Sequence, residues 1–167
     1  MFSNENKKQA DMCRFCWMCR HICPVAGATG SEGWGPRARG LMVSMIERGS
    51  AELDAEIAEA MYHCTMCDAC ANDCETGWKP TDFIREARMY CVANEVAPAA
   101  INTAIDNILT KGNIYGEALN EKLAARIEAL PETADVLVYI GQTGRCFGAD
   151  SAISFLKILD KAKVGYT

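Results

Sequence analysis

The chain has 167 residues, a net charge of −5 and ten cysteines. This length suits one domain, or one small domain with an appendage. An acidic chain is not expected to bind nucleic acid, and no run approaches the ~18 apolar residues of a membrane span. The polar N-terminus lacks the apolar region of a signal peptide, so the cysteines predict a reducing, cytoplasmic compartment. Any association with a membrane would be peripheral, through partners.

Residues 1–11 have little periodic signal and predict a flexible lead-in or a short helix. The first cysteine motif follows, as Cys13-x2-Cys16-x2-Cys19-x3-Cys23-Pro24. This spacing is that of the bacterial ferredoxin motif, which holds a [4Fe-4S] cube. We call this stretch the first cassette.

Two amphipathic helices are predicted next, over residues 36–48 and 52–62, because their apolar residues recur at helical spacing. Arg37 and Arg39 lie at the start of the first of these helices. They could donate hydrogen bonds to cluster sulfur, carry a docking surface for an acidic partner, or belong to a solvated helix start. The sequence leaves these three interpretations open.

The second cassette repeats all four cysteines 51 residues later, as Cys64-x2-Cys67-x2-Cys70-x3-Cys74. It has Glu75 where the first has a proline, which removes no ligand. In the two-cluster ferredoxin arrangement, the fourth cysteine of each motif ligates the other cluster. That rule predicts two clusters with crossed ligands: Cys13, Cys16, Cys19 and Cys74 hold cluster 1, and Cys64, Cys67, Cys70 and Cys23 hold cluster 2.

Zinc and a disulfide framework are weaker alternatives. A zinc site usually takes two C-x2-C pairs with a longer spacer, so a third cysteine at the same step is surplus to a tetrahedral ion. The charges beside the two cassettes differ in sign. Arg14, Arg20 and His21 accompany the first, whereas Asp68, Asp73 and Glu75 accompany the second. Because positive charge favours the reduced cluster, this pattern predicts the higher potential at the first cassette.

Three more helices are predicted: from a cap at Thr81 to about residue 95, from Pro98 to about residue 110, and over residues 117–130. Cys91 is expected to be a buried apolar residue and Cys146 a free thiol. The character then changes, because residues 136–140 are a short β-prone run. A glycine-containing turn over residues 142–149 and a helix to about residue 161 follow, with another strand expected near residue 164.

One strand-turn-helix step leaves a sheet incomplete. We therefore predict a mainly α fold with two domains. Residues 1–131 form a helical ferredoxin-type module that binds two [4Fe-4S] clusters, and residues 132–167 are the truncated start of an α/β domain. Another chain could complete the sheet. Alternatively, the tail is a small appendage on the helical body.

The two cassettes, the run from Val136 to Gly141 and the segment from Ala152 to Tyr166 together resemble iron-sulfur subunits related to glycolate oxidase and heterodisulfide reductase. Many members of that family continue into a Cys-Cys-Gly motif, which is absent from this chain. The resemblance implies a partner flavoprotein that carries FAD or FMN. It could be an FAD-dependent dehydrogenase, an electron-transfer flavoprotein or a heterodisulfide-reductase-type flavin subunit.

The predicted function is that of a non-catalytic electron-transfer subunit, which relays electrons between this flavoprotein and another redox partner in an anaerobic or respiratory oxidoreductase complex. We find no catalytic residues in the sequence. Two alternatives remain. The chain could be part of a heterodisulfide-reductase-like catalytic subunit whose active half is missing, or a scaffold in which the clusters only stabilise the fold.

Overall fold

The computed structural model describes the whole chain, Met1–Thr167, and it is predominantly α-helical, as predicted. Its residues divide into two compact units, Met1–Asn102 and Thr103–Thr167. The predicted domain boundary after residue 131 is a different division of the chain, and it stays a prediction.

Seven helices and a short 3₁₀ turn form the first unit. They are α1 Asn4–Asp11, α2 Met18–Ile22, α3 Pro24–Thr29, the 3₁₀ turn Glu32–Trp34, α4 Pro36–Glu47, α5 Ala55–Tyr62, α6 Ala69–Asn72 and α7 Pro80–Ala93. A further helix, α8 Ala99–Lys111, contains residues of both units. The predicted helices between the cassettes and after the second cassette are therefore present.

Local chemistry explains where these helices begin. Proline occupies the first position of α3, α4 and α7, where its missing N–H removes no hydrogen bond. The carboxylate of Asp54 caps α5 by accepting from the N–H of Ile57 at 2.9 Å. The predicted cap at Thr81 is wrong, because α7 begins at Pro80 and the hydroxyl of Thr81 donates to Asp68 instead.

The core of the first unit lies between α1, α4, α5 and α7. Its fully buried side chains include Trp78, Phe83, Met61 and Val43. Phe2 also lies in this core and packs edge-on against Tyr90, with 5.5 Å between ring centroids. The N-terminal residues are thus a helix anchored to α4 and α7 rather than a flexible lead-in. Cys91 is fully buried, as predicted.

The second unit has a small separate core. Its helices are α9 Glu121–Glu128, α10 Gln142–Cys146 and α11 Ala149–Lys161. Leu123, Leu156 and Tyr166 are buried together, and the guanidinium of Arg126 donates to Asp160 and to the hydroxyl of Tyr166.

The predicted strand over residues 136–140 is reduced to one parallel bridge between Val136 and Tyr166. Leu137 and Tyr139 project into solvent, with exposed fractions of 78% and 85%. The predicted turn over residues 142–149 is wrong in part, because residues Gln142–Cys146 form α10. None of the helices combines the length and the apolar character that crossing a bilayer requires.

Gly40 provides a test of the packing in the first unit. A Cβ atom at this position would lie 2.6 Å from Cζ2 of the buried Trp78, so Gly40→Ala forces the indole to move. We expect this substitution to lower the free energy of unfolding by about 1–3 kcal/mol. The matched control is Gly27→Ala in α3, where a Cβ meets nothing within 4 Å and should stabilise by about 0.5–1 kcal/mol. Anaerobic chemical denaturation of both variants measures this difference, and equal stabilities would contradict the packing described.

Candidate functional site

The duplication in sequence is also a duplication in backbone geometry. Phe15 and Trp17 have positive φ angles of 56° and 69°, and Met66 and Asp68, 51 positions later, have 57° and 58°. Non-glycine residues rarely adopt this left-handed conformation, so four such residues in two matched loops indicate a shared constraint. In each loop the second of these residues directly precedes a short helix, α2 in the first cassette and α6 in the second.

These turns direct backbone N–H groups towards cysteine sulfur. The N–H of Phe15 donates to Sγ of Cys13 at 3.4 Å, and the N–H of Met66 donates to Sγ of Cys64 at the same distance. Hydrogen bonds to ligand sulfur tune an iron-sulfur cluster and orient its ligands. The two loops therefore share the kind of sulfur environment that such a cluster requires.

Two cavities lie beside the cassettes, where α2 and α6 pack against each other. They contain about 480 and 350 Å³ of space not occupied by atoms, part of it open to solvent. The first cavity contains four predicted ligands, Cys13, Cys16, Cys19 and Cys74. The second contains the other four, Cys23, Cys64, Cys67 and Cys70.

Each cavity thus combines three cysteines of one cassette with the fourth of the other, and Cys70 also borders the first cavity. No group of three or more His, Cys, Asp or Glu side chains could hold a single metal ion. A cube spreads its thiolates over four irons, so it does not require such a group. The assignment of these eight cysteines as ligands remains a prediction.

Burial is the main influence on the pKa values of Cys19 and Cys70. It raises the pKa of Cys19 to about 11, with further contributions from Cys13, Cys16 and Cys74. It raises the pKa of Cys70 to about 12, with further contributions from Cys64, Cys19, Cys23 and Cys67. The thiols that act on each of these two groups are mainly those of its own cavity, which agrees with the crossed grouping.

Hydrogen bonds act in the opposite direction at the outer cysteines. The N–H of Ala69 and the hydroxyl of Thr65 hold the pKa of Cys67 below its usual range. At Cys74, burial raises the pKa, but hydrogen bonds from Thr76 and from the N–H of Trp78 outweigh it and lower the pKa overall. Both thiols are therefore more readily deprotonated for metal binding than an ordinary cysteine thiol.

The charges do not sort by cassette as the sequence suggested. Asp73 and Glu75 border the first cavity together with Arg14, because Cys74 carries its neighbours there. Only Asp68 of the three acidic residues lies at the second cavity, which Arg39 also borders. The premise of the predicted order of the two potentials is therefore wrong for Asp73 and Glu75, and the order itself stays a prediction.

Two guanidinium groups hold the segment that leads into the second cassette. Arg39, which is 1% exposed, donates from Nε to the carbonyl of Ala60 at 2.6 Å. Arg88 donates to the carbonyls of Met61, at 2.8 and 3.0 Å, and of Cys64. Cations at the C-terminal end of a helix, here α5, complement its dipole. The interpretation of Arg39 as part of a solvated helix start is therefore wrong.

The sequence indicated Arg39 as a candidate functional residue, but it did not indicate Arg88. Arg88 was missed, although its spacing from Thr81 and Ile84 puts all three residues on one face of α7. That face borders the second cavity through Thr81 and Ile84.

The first loop has exposed aromatic and apolar side chains, and Arg37 lies beside one of them. The guanidinium of Arg37 lies 3.7 Å from the ring centroid of Trp17, and it pairs with Glu32. Trp17 and Met18 remain exposed by 41% and 54%. The ring of Trp34 lies against that of His63 in a tilted arrangement, with centroids 4.3 Å apart, and Trp34 is half-buried.

The comparisons with known proteins agree with this geometry. Residues 9–78 match the family model of the 4Fe-4S dicluster domain. The chain is also similar to the probable glycolate oxidase iron-sulfur subunit of Bacillus subtilis (strain 168). The two are 30% identical over 91 residues, which are 51% of this chain and 20% of that relative. The chain thus aligns with about a fifth of the relative's length, and the predicted resemblance to an iron-sulfur subunit of that kind is confirmed.

The residues in the cavities fit iron-sulfur clusters. The second cavity is lined by four cysteines and the first by the other four together with Cys70, and four thiolates are the donor set of a [4Fe-4S] cube. Each cavity is also bordered by one residue whose buried donor nitrogen has no hydrogen-bond partner. These are Nη2 of Arg39 in the second cavity and Nε1 of Trp78 in the first. An acceptor such as cluster sulfur would satisfy them.

The pKa directions predict unequal thiol reactivity in the cluster-free chain. Because the thiolate is the nucleophile, Cys67 should be alkylated by iodoacetamide at pH 8 about a hundredfold faster than Cys70, or more. Mass spectrometry of timed samples, with helical content checked by circular dichroism, measures this ratio. Raising the pH to 10 should speed Cys70 more than Cys67, since only Cys70 stays largely protonated there. Equal rates in the folded chain would contradict the described burial.

Proposed function

We propose that this chain is an electron-transfer iron-sulfur subunit with two [4Fe-4S] clusters, which relays electrons between a flavoprotein and another redox partner. The observation that supports the proposal is that all eight cassette cysteines line two cavities and that each cavity has cysteines of both cassettes. Cys13, Cys16, Cys19 and Cys74 would hold cluster 1, and Cys64, Cys67, Cys70 and Cys23 would hold cluster 2. When bound, such a cluster supplies one-electron transfer with little change in geometry.

The burial of the cysteines supports a relay from one side of the module to the other. Cys16 and Cys67 are exposed, each at one cavity, whereas Cys70 is buried and borders both cavities. Electrons would enter near one exposed cysteine, cross between the cavities near Cys70 and leave near the other exposed cysteine. Partly buried apolar residues of the loops, such as Met66, limit the access of water to the sulfurs.

The partner in this proposal is a flavoprotein, and the flavin, FAD or FMN, is bound on that partner chain. The name of the B. subtilis relative describes a probable glycolate oxidase iron-sulfur subunit. By this similarity, an FAD-dependent 2-hydroxy-acid dehydrogenase is our first choice. An electron-transfer flavoprotein or a heterodisulfide-reductase-type flavin subunit are the other partners consistent with the resemblance.

We further propose that residues 132–167 are part of an α/β layer. The parallel bridge between Val136 and Tyr166 supports this, because parallel pairing is typical of β-α-β units. Leu137 and Tyr139 remain exposed beside it. Further strands, from this polypeptide or another, would cover these side chains.

Paired alanine substitutions test the crossed ligands by counting iron. If Cys16 and Cys74 serve the same cluster, the variant with both replaced should retain about four irons per chain, half of the wild-type content. The variant with Cys16 and Cys23 replaced removes one ligand from each cluster and should retain almost none. The Cys146→Ala variant, outside both cavities, is the control and should keep the full content. The reverse result for the two pairs would mean that each cassette binds its own cluster.

The relay itself is tested in the anaerobically purified complex. We expect the tagged chain to co-purify with a flavin-containing polypeptide, and addition of a 2-hydroxy acid to bleach the iron-sulfur absorption. If electrons enter at cluster 1, a variant that lacks cluster 2 should accept electrons from the flavin but should not pass them to the final acceptor. If electrons enter at cluster 2, the same variant should accept none from the flavin. A full set of clusters that never changes oxidation state in the complex would contradict electron transfer and favour a structural role.

A further inference from the structure

Arg39 is a buried cation without an anionic partner. Its Nε donates to the carbonyl of Ala60, but its Nη2 is buried and has no hydrogen-bond partner. The five ion pairs of the chain do not include Arg39. A guanidinium buried without a counter-charge is costly, and a buried N–H without an acceptor adds to the cost.

The neighbours of Arg39 do not supply the missing charge. The nearby Arg88 is itself cationic, and it donates its hydrogen bonds to backbone carbonyls. Asp68 borders the same cavity, but no ion pair joins it to Arg39, and its carboxylate accepts from the hydroxyl of Thr81. The C-terminal end of α5 offers only partial negative charge. The cavity lined by four cysteines is the remaining place for an anion.

Trp78 repeats this pattern at the first cavity. Its indole is 1% exposed and its Nε1 has no hydrogen-bond partner. The absence of a side chain at Gly40 lets the ring approach α4 closely, so the ring position is fixed by packing. The two unpartnered buried side-chain nitrogens of the chain thus belong to residues that border the two cysteine-lined cavities, one at each.

We infer that Nη2 of Arg39 donates a hydrogen bond to sulfur of cluster 2, that Nε1 of Trp78 does the same at cluster 1, and that each contact raises the reduction potential of its own cluster. This inference rests on the proposed function, because it requires both clusters. A donor to sulfur, and at Arg39 also a positive charge, favours the reduced cluster, which carries one more negative charge. Because each donor borders a different cavity, each sets one potential and leaves the other unchanged.

The test is an anaerobic redox titration followed by EPR on the intact chain. Arg39→Gln should lower the midpoint potential of cluster 2 only, and Arg39→Lys should lower it less, since it keeps the charge but loses the planar fork of donors. Trp78→Phe should lower the midpoint of cluster 1 only. The controls are Arg85→Gln, at an exposed arginine of α7, and Trp34→Phe, at the half-buried tryptophan that contacts His63. Both controls should leave the two midpoints within error of wild type.

Iron content and circular dichroism are measured on every variant. Unchanged midpoints in fully loaded Arg39→Gln and Trp78→Phe would overturn the inference, as would equal shifts of both clusters in either variant. If Arg39→Gln loses about half of its iron while its helices persist, the contact with cluster 2 is supported, and the midpoint of Arg39→Lys confirms or refutes the effect on potential. Loss of helical structure in both Arg39 variants would refute it, because Arg39 would then stabilise the fold independently of the cluster. Wild-type protein without two clusters would instead refute the proposed function.

Discussion

The packing of α2 against α6 is the constraint on which the first unit depends. Each of these short helices follows a left-handed turn in its cassette, and together they bring Cys74 beside the first loop and Cys23 beside the second. Two stretches 51 residues apart in the chain thereby share two cavities. If the cysteines ligate as proposed, each cluster cross-links both halves of the duplication, and cluster binding stabilises the folded unit.

This arrangement also mixes the electrostatic environments of the two cavities. Asp73 and Glu75 follow Cys74 to the first cavity, and Arg39 reaches the second from α4. The potential of each cluster therefore depends on residues of both cassettes and of the helices between them. The proposed contacts from Arg39 and Trp78 are the most local of these influences, because both donors are fully buried.

The cassettes were predictable because their information is local. Ligand spacing, the repeat and proline at helix starts need no knowledge of distant contacts, and α4, α5, α7 and α8 lie close to their predicted bounds. The burial of Phe2 and Arg39 was not predictable in this way. It depends on how α1 and α4 pack against α7, and one sequence gives no direct measure of that packing.

The structure of residues 132–167 likewise depends on contacts that one sequence does not reveal. The β-prone run from Val136 to Ile140 fits a strand, but a strand requires neighbours for its backbone hydrogen bonds, and here only Tyr166 and Thr167 are available. Residues 142–146, which contain a glycine, form a helical turn because local hydrogen bonds are satisfied there without a neighbour. The β-propensity of residues 136–140 therefore predicted extended pairing correctly, but it overestimated the length of the strand.

The most direct measurement of the central claim is an anaerobic crystal structure with anomalous data collected at the iron absorption edge. The account predicts two separate groups of iron, each bonded to three cysteines of one cassette and to the last cysteine of the other, Cys74 for the first and Cys23 for the second. Anomalous peaks of zinc, or two iron groups each ligated wholly within one cassette, would contradict it.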